Sequence, residues 1–510
     1  MSAQPTAGID ESEKVDHPSR SDGFVRGLSE AIGGPVGAHA AGVDRPQGRR
    51  RFWTPVRIVL ALVCLTLALH WVQKSPCHAG AWTDNIQYTR FCYSDVTALY
   101  YAEGLNEGKV PYRDHPVEYP VITGYFMGAL GLPIHALGVD RPEISQAQWF
   151  YNANALVLGA LAVATVAVLL ALRRRRPWDA AMFALSPALL VTATVNWDLL
   201  AIGLAAFGLY AWARRRPVAA GILLGLAAAA KLWPLFILGP LFVLGLRTLR
   251  LREVLTTIGT AVVTIVAVNL PVAVPYRENW MRFFDLNTER AIDWGTFWYI
   301  GRYLDGKWNT GAPGDQGPFQ WLSANIPVLN NLSYALIFLA CLGIGALAVF
   351  APRRPRLAAL VFLVVAVFLI FSKVWSQQFN LWLLPLVVLA RPKWGAFLAW
   401  QAAEVGYFLA FYGELLGVTT GQPVFPEGVF VLAASLRLST VAVLCALIVR
   451  EVLRPEQDAV RRTYADDPDG GIFDDAPDAG WLRSWRERAS RRAAERAGTE
   501  PETVNSFAVS

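Results

Sequence analysis

The chain has 510 residues, 54% of them hydrophobic and 17% charged, with a formal net charge of +6. The apolar residues gather in blocks of membrane-spanning length, which excludes a soluble multidomain protein and predicts an all-α polytopic transmembrane bundle. The basic residues cluster between those blocks, so they mark cytoplasmic loops and not a nucleic-acid surface.

Residues 1–50 are polar and aperiodic. They predict a disordered cytoplasmic tail, too polar for a cleaved signal peptide. The membrane domain is expected over 51–453, and a second polar, mostly disordered cytoplasmic tail over 454–510. Within that tail, Trp481 to Ala497 reads as a basic amphipathic helix on the membrane surface, or equally as a solvated charged helix. Spans are predicted at Val56–Val72, Gln148–Leu172, Trp178–Val195, Asp198–Ala213, Val218–Ala230, Leu232–Leu246, Val254–Val274, Leu329–Phe350, Leu357–Phe371, Gln377–Leu389, Trp394–Tyr412 and Val429–Val449. With Arg49–Arg51 inside, the clusters at Arg173–Arg176, Arg214–Arg216, Arg247–Arg252 and Arg353–Arg356 all fall inside only if Tyr119–Leu137 does not cross. Gly124, Gly128, Gly131 and Pro133 suit a bent or re-entrant segment there. Val218–Ala230 and Leu232–Leu246 fall short of the roughly 20 residues that a straight span needs. They are expected to meet at Lys231 and Pro234 beneath an outward cavity. This topology implies a multi-pass plasma-membrane protein with its site on the extracytoplasmic side.

Two large loops face outward, Gln73–Glu118 and Tyr276–Pro327. Cys77 and Cys92 are the two cysteines of these loops, and a disulfide is expected, against the alternative of two distant free thiols. Cys64, Cys341 and Cys445 lie in apolar blocks. No spacing of cysteines or histidines suits a metal, so neither metal nor cofactor is expected. Ser94 is placed to cap a helix from Asp95 to about Gly108, with Val96, Leu99 and Tyr100 on a face toward the membrane surface. Asp95 falls in the first turn, where the helix dipole favours its ionised form. An ionised carboxylate accepts a proton from an attacking hydroxyl; an acid in a first turn also simply stabilises its helix.

Asp114, His115 and Glu118 form a second polar group. Asp114 reads as an exposed loop residue, whereas Glu118 borders an apolar block, where an unpaired charge is costly. His115 is a candidate for orienting an acceptor. The second loop carries Trp280, Trp294, Trp298, Trp308 and Trp321, read mostly as interfacial anchors with one or two able to stack on a sugar. Arg290 among them is a candidate substrate ligand. Three turns between spans add Asn196 and Asp198, then Lys231, then Lys373, Gln377, Gln378 and Asn380. Each alone is an ordinary span boundary, but all face the side of Asp95. Lys231 and Lys373 suit a lipid phosphate. With no phosphate-binding glycine loop, ATP-driven transport and nucleotide-sugar chemistry on a soluble domain are unsupported.

The run Asp95…Tyr100-Tyr101…Gly104…Gly108…Pro111-Tyr112…Glu118-Tyr119-Pro120 resembles the GT-C superfamily of membrane glycosyltransferases, most closely glycosyltransferase family 87. So do Asn196-Trp197-Asp198, Lys231-Leu232-Trp233-Pro234 and Gln377 to Pro385. The resemblance covers roughly Val56 to Arg450. It implies a polyprenyl-phosphate sugar donor, typically mannose and in some members arabinofuranose, and a glycolipid or cell-envelope polysaccharide acceptor, as in lipoglycan synthesis. It also implies Asp95 as general base in an inverting transfer. Where many GT-C enzymes pair two acids, Ser94 precedes Asp95, which speaks against a metal site. The competing class is a transporter or flippase of a lipid-linked glycan, which would not need that base.

Overall fold

The computed structural model describes residues 15–33, 52–78, 82–308 and 317–497. Its regular elements are helices, with one isolated bridge between Pro111 and His115. Helices satisfy their own backbone polar groups, which long apolar blocks in a bilayer require. In chain order the longer ones are α1 (Gly23–Gly33), α2 (Pro55–Lys74), α3 (Asp95–Ala102), α4 (Val121–Gly138), α5 (Gln146–Leu172), α6 (Pro187–Thr192) and α7 (Asp198–Ala213). There follow α8 (Pro217–Ala230), α9 (Leu238–Thr248), α10 (Leu251–Ala273), α11 (Arg277–Glu289), α12 (Phe297–Trp308) and α13 (Pro318–Ala324). The chain continues through α14 (Ile326–Phe350), α15 (Leu357–Phe371), α16 (Asn380–Ala390), α17 (Trp394–Thr420), α18 (Glu427–Leu453), α19 (Ala459–Tyr464) and α20 (Gly480–Ala497). The protein is an all-α polytopic membrane protein. Among the described residues, six helices are long and apolar enough to cross a membrane: α2, with the turn that follows it, α4, α5, α10, α14 and α18.

Tertiary contacts define two ends of the bundle. At one, the Asp95 N–H donates to Val195 O at 2.7 Å, and Tyr100 Oη donates to Gln146 at 2.8 Å. At the other, Arg173, Arg247 and Arg356 meet the last part of the chain. α4 has the length and composition of a span, yet both of its ends lie at the Asp95 end. Thr123 near its start donates to Ala230 O at 2.7 Å, and Gly138 at its close abuts Gln146 at the start of α5. It therefore lies across the ends of α5 and α8. Helical structure continues without interruption through Pro133. Its glycines are there for close approach: a Cβ on Gly124 would fall 2.3 Å from Tyr112 Oη, and one on Gly128 2.9 Å from Pro111. Loop residues Leu105 to Tyr112 thus pack directly on the helix backbone.

One expected span is broken, and the expected junction at Lys231 is present. Trp178–Val195 divides into a 3-10 turn, Pro177–Ala180, a helical turn, Ala181–Ala184, and α6. The break falls at Ser186, just before Pro187; its hydroxyl donates to Gln401 at 2.6 Å and accepts from Leu189 N–H. Lys231 is extended, at φ −152° and ψ 144°, between α8 and the 3-10 turn Trp233–Ile237. Proline in the first turn of the following helix suits both breaks.

Neither tail is wholly loose. Asp16 pairs with Arg176 at 2.6 Å, and Asp22 accepts from Trp394 N–H at the start of α17. Residues 455–479 form a strap across the arginine end. Asp458 pairs with Arg356 at 2.6 Å, Asp469 with Arg173 at 2.6 Å and Asp478 with Arg247 at 2.7 Å. Asp466 pairs with Arg354. The polarity that predicts disorder is here the complement of buried arginines, because a charge leaves water only when paired. Arg49–Arg51 lie outside the described residues.

Candidate active site

Ser94 caps α3 as its spacing predicts, its Oγ accepting from Val96 N–H at 3.2 Å and donating to Thr194 O at 2.6 Å. The helix stops at Ala102, not near Gly108, because Gly104 turns the chain at φ +67° and Gly108 at +73°. Val96 and Tyr100 do not face the membrane surface. They are fully buried, with Tyr100 packed on Phe150 of α5. That packing fixes the first turn of α3 and hence Asp95.

Lys74, at the end of α2, holds the chain just before α3 by donating to Phe91 O and Tyr93 O at 3.3 and 3.0 Å. Cys77 and Cys92 are bonded to each other, with their Cα atoms 5.6 Å apart. His70, Tyr151 and Ser94 converge on Thr194, on its hydroxyl or its carbonyl, so three elements anchor the 194–196 turn against Asp95.

Asp95 opens into a cavity of about 840 Å³. Asn196 Nδ2 donates to Asp95 Oδ2 at 2.7 Å and contacts Tyr119 Oη at 2.6 Å. Burial pushes the Asp95 carboxyl above its ordinary range, while hydrogen bonds from Asn196 and Tyr93 and the charge of Lys231 pull it down. The helix dipole expected to favour its ionised form is thus opposed here by burial. Removal from water dominates, and neighbouring donors offset part of it. Glu118 lines the same cavity and is also raised, first by burial and then by the charge of Asp95. A further acid stands behind it. Glu103 accepts the Glu118 N–H at 3.3 Å, and burial pushes its carboxyl up to about 7.

Lys231, Arg290, Lys373 and Gln378 also line the cavity. Lys231 is committed within the protein: its Nζ pairs with Asp198 Oδ1 at 2.9 Å and lies over the rings of Tyr119 and Phe379. Asp198 is buried behind it, accepting from Trp382 Nε1 at 2.6 Å, and does not line the cavity. Lys373 donates to Thr288 O at 3.0 Å, and burial and the charge of Arg290 lower its pKa. Arg290 and Lys373 are thus two neighbouring cations on one wall. Among the described residues neither has an acidic partner within ion-pairing distance, the arrangement an anion would relieve.

Three candidates fall elsewhere. His115 sits 3.8 Å from Glu103, outside the cavity lining. Gln377 donates to Tyr412 Oη at 2.7 Å, and Asn380 faces Thr192 and Glu404, both buried behind the wall. Asp114 is a surface residue bonded to Arg113. Of the aromatic candidates, none of the five tryptophans from the second loop lines the cavity; Trp233 and Trp382 do.

Sequence reasoning missed Tyr93, the acid at Glu103 and a buried ion pair. Arg437 Nε lies 3.0 Å from Glu404, and its other nitrogens donate to Trp375 O and Ser376 O at 3.0 Å each. The pair holds the loop that carries Lys373 and Gln378. A lone Arg and a lone Glu in two apolar blocks were the available signal.

Apolar side chains also line the cavity. Phe236, Phe283, Phe284, Ile337 and Phe368 line it. A carboxylate, two free cations and a hydrocarbon-lined wall suit an amphiphile with an anionic head. Residues 126–372 match the model of glycosyltransferase family 87. No curated protein matches the chain.

Proposed function

The chain belongs to glycosyltransferase family 87 and is a membrane glycosyltransferase, and we propose that it moves a sugar, most simply mannose, from a polyprenyl phosphate to a glycolipid or cell-envelope glycan on the extracytoplasmic face of the plasma membrane. The observation that carries this reading is the single cavity that joins Asp95 and Glu118 to Arg290, Lys373 and an apolar wall. The polyprenyl chain lies on the apolar wall. The donor phosphate lies between Arg290 and Lys373. Lys231, held by Asp198, adds positive field near Asp95 and binds no phosphate directly.

Asp95 accepts the proton of the acceptor hydroxyl. The acceptor oxygen bonds to the anomeric carbon as the bond from that carbon to the phosphate oxygen breaks. The electron pair leaves on the phosphate, and attack from the opposite face inverts the anomeric centre. Asn196 orients the carboxylate throughout, because one of its amide hydrogens points at Asp95 and the other at Tyr119. The phosphate leaves ionised, so no acid must protonate it. Family membership sets aside the transporter reading.

The test is incubation of purified protein with polyprenyl-phosphomannose, polyprenyl-phosphoarabinofuranose and a panel of glycolipid acceptors, followed by mass spectrometry. A hexose added to an acceptor is expected. A pentose alone would move the donor to arabinofuranose, and no transfer from either donor would overturn the polyprenyl-phosphate assignment.

A further inference from the structure

Beyond the strap, α20 leaves the arginine end with a composition the proposed function does not use. It carries Arg483, Arg486, Arg488, Arg491, Arg492 and Arg496 against Glu487 and Glu495. Its start is tied to the membrane domain at several points. Ala479 N–H donates to Arg247 O at 2.8 Å, and Leu482 is fully buried. Arg486 pairs with Asp478 at 2.8 Å and donates to Ala351 O at 2.7 Å. The Trp485 ring lies 5.1 Å from the ring of Phe350, the last residue of α14. Phe350 ends a 25-residue apolar helix and is 53% exposed, so it stands where that span leaves the hydrocarbon. Trp481 and Trp485 are four residues apart, share a face, and are 46% and 44% exposed. Two indoles level with the end of a span are placed for the headgroup boundary.

We propose that α20 docks on the anionic phospholipid headgroups of the leaflet at the arginine end. Trp481 and Trp485 continue the apolar edge begun by Phe350 and enter the boundary. Arg488, seven residues after Trp481 and on the same face, has no acidic partner among the described residues and meets lipid phosphates, whereas Arg483 lies on the opposite face. Arg486 is already engaged by Asp478 and takes no part. A nucleic acid or an acidic protein would answer the arginines but not the two indoles beside Phe350, which is why the partner is a lipid surface. The clamp by Arg247, Asp478 and Leu482 fixes the height of the helix, so docking needs no rearrangement of the bundle. The inference does not depend on the sugar, the donor or the role of Asp95.

The experiment is hydrogen–deuterium exchange of the full chain in nanodiscs of phosphatidylcholine, with and without phosphatidylglycerol. Peptides within 481–497 report the helix, and peptides within 455–479 serve as an internal reference. A basic residue near an anionic surface strengthens binding about fivefold, so Arg488→Gln should weaken docking by about that factor, and Arg483→Gln, on the opposite face, should not. Expected is slower exchange of the helix with phosphatidylglycerol, reduced in Arg488→Gln but not in Arg483→Gln and lost at high salt, with the strap peptides unchanged. Trp481→Ala with Trp485→Ala should reduce the protection while leaving the arginines in place. Equal exchange of the helix in both bilayers would overturn the proposal. So would protection by added RNA in phosphatidylcholine discs that phosphatidylglycerol does not reproduce.

Discussion

The two ends of this bundle use the same charged residues to opposite effect. At the arginine end, Arg173, Arg247, Arg354 and Arg356 each meet an aspartate of the strap. At the cavity end, Asp95 and Glu118 face each other's charge, as do Arg290 and Lys373. Among the described residues none of these four has an oppositely charged side chain within ion-pairing distance. A buried pair broken on one side leaves an uncompensated charge, so pairing makes the first end a structural clamp. The second end keeps its like charges close and only partly compensated, which is how active sites hold groups away from their ordinary pKa. Charge in a membrane protein therefore signals function where it is left unpaired by the protein itself.

The largest effect should come from Asp95→Asn. The amide keeps the shape and the contact with Asn196 but cannot take the proton. Loss of a general base lowers turnover by about 10²–10⁴-fold. Single-turnover transfer at saturating donor checks this, and a near wild-type rate would make Glu118 the better candidate. The raised pKa of Asp95 also sets a sign. Only the ionised form is a base, so turnover should rise with pH through a midpoint above the ordinary carboxylate range, and this acid limb should vanish in Asp95→Asn.

The matching change at the other end is Arg356→Met. It removes the 2.6 Å partner of the buried Asp458 and leaves only Arg461, 3.9 Å away, so the loss approaches the about 3–5 kcal/mol of a broken buried pair. Thermal unfolding in detergent should fall accordingly, while turnover per folded molecule stays near wild type. A loss of turnover without a loss of stability would erase the contrast between the two ends.

Lys373→Gln should come next. If the two free cations hold the phosphate, removing one loses a charge-assisted hydrogen bond worth about 1.5–3 kcal/mol, or roughly ten- to hundredfold in donor affinity. Binding of a short-chain polyprenyl phosphate measures it. Lys231→Gln should do less to donor affinity and more to stability, since it strands Asp198.

The effect at Glu103 is read as a pH dependence of stability and not of turnover. Its carboxyl titrates near 7 in the folded protein against an ordinary value of 4.5, so the folded state holds the proton more tightly. Stability from this group is complete below about 4.5, declines as pH rises towards 7 and is flat above. Glu103→Gln cannot ionise and should remove that slope. Melting curves of the two proteins across this range should diverge progressively, and parallel curves would place Glu103 in contact with water.

Glycine spacing and the arginine clusters anticipate that the segment after Glu118 stays at one end of the bundle. They do not say that helical structure continues through Pro133, because a proline inside a helix removes one backbone bond and either kinks or breaks it, and the surrounding packing decides which. Asp95, Glu118, Lys231, Arg290, Lys373 and Gln378 are legible as polar residues at loop boundaries. His115, Gln377 and Asn380 look the same in sequence but point elsewhere, since neighbours within a turn of each other need not share a wall.

Composition and periodicity alone determined that this chain is an all-α membrane protein, which segments are apolar, and that Ser94 caps a helix starting at Asp95. These are local or bilayer-scale properties, set by backbone hydrogen bonding and hydrocarbon thickness. Only the tertiary structure decided which charges are paired. Arg176 meets Asp16 and Arg247 meets Asp478, across sequence separations of 160 and 231 residues. Lys231 is paired with Asp198, and a polar tail becomes a strap. Ion pairing depends on distance in space and on exclusion of water, and neither is written in the spacing of residues along the chain.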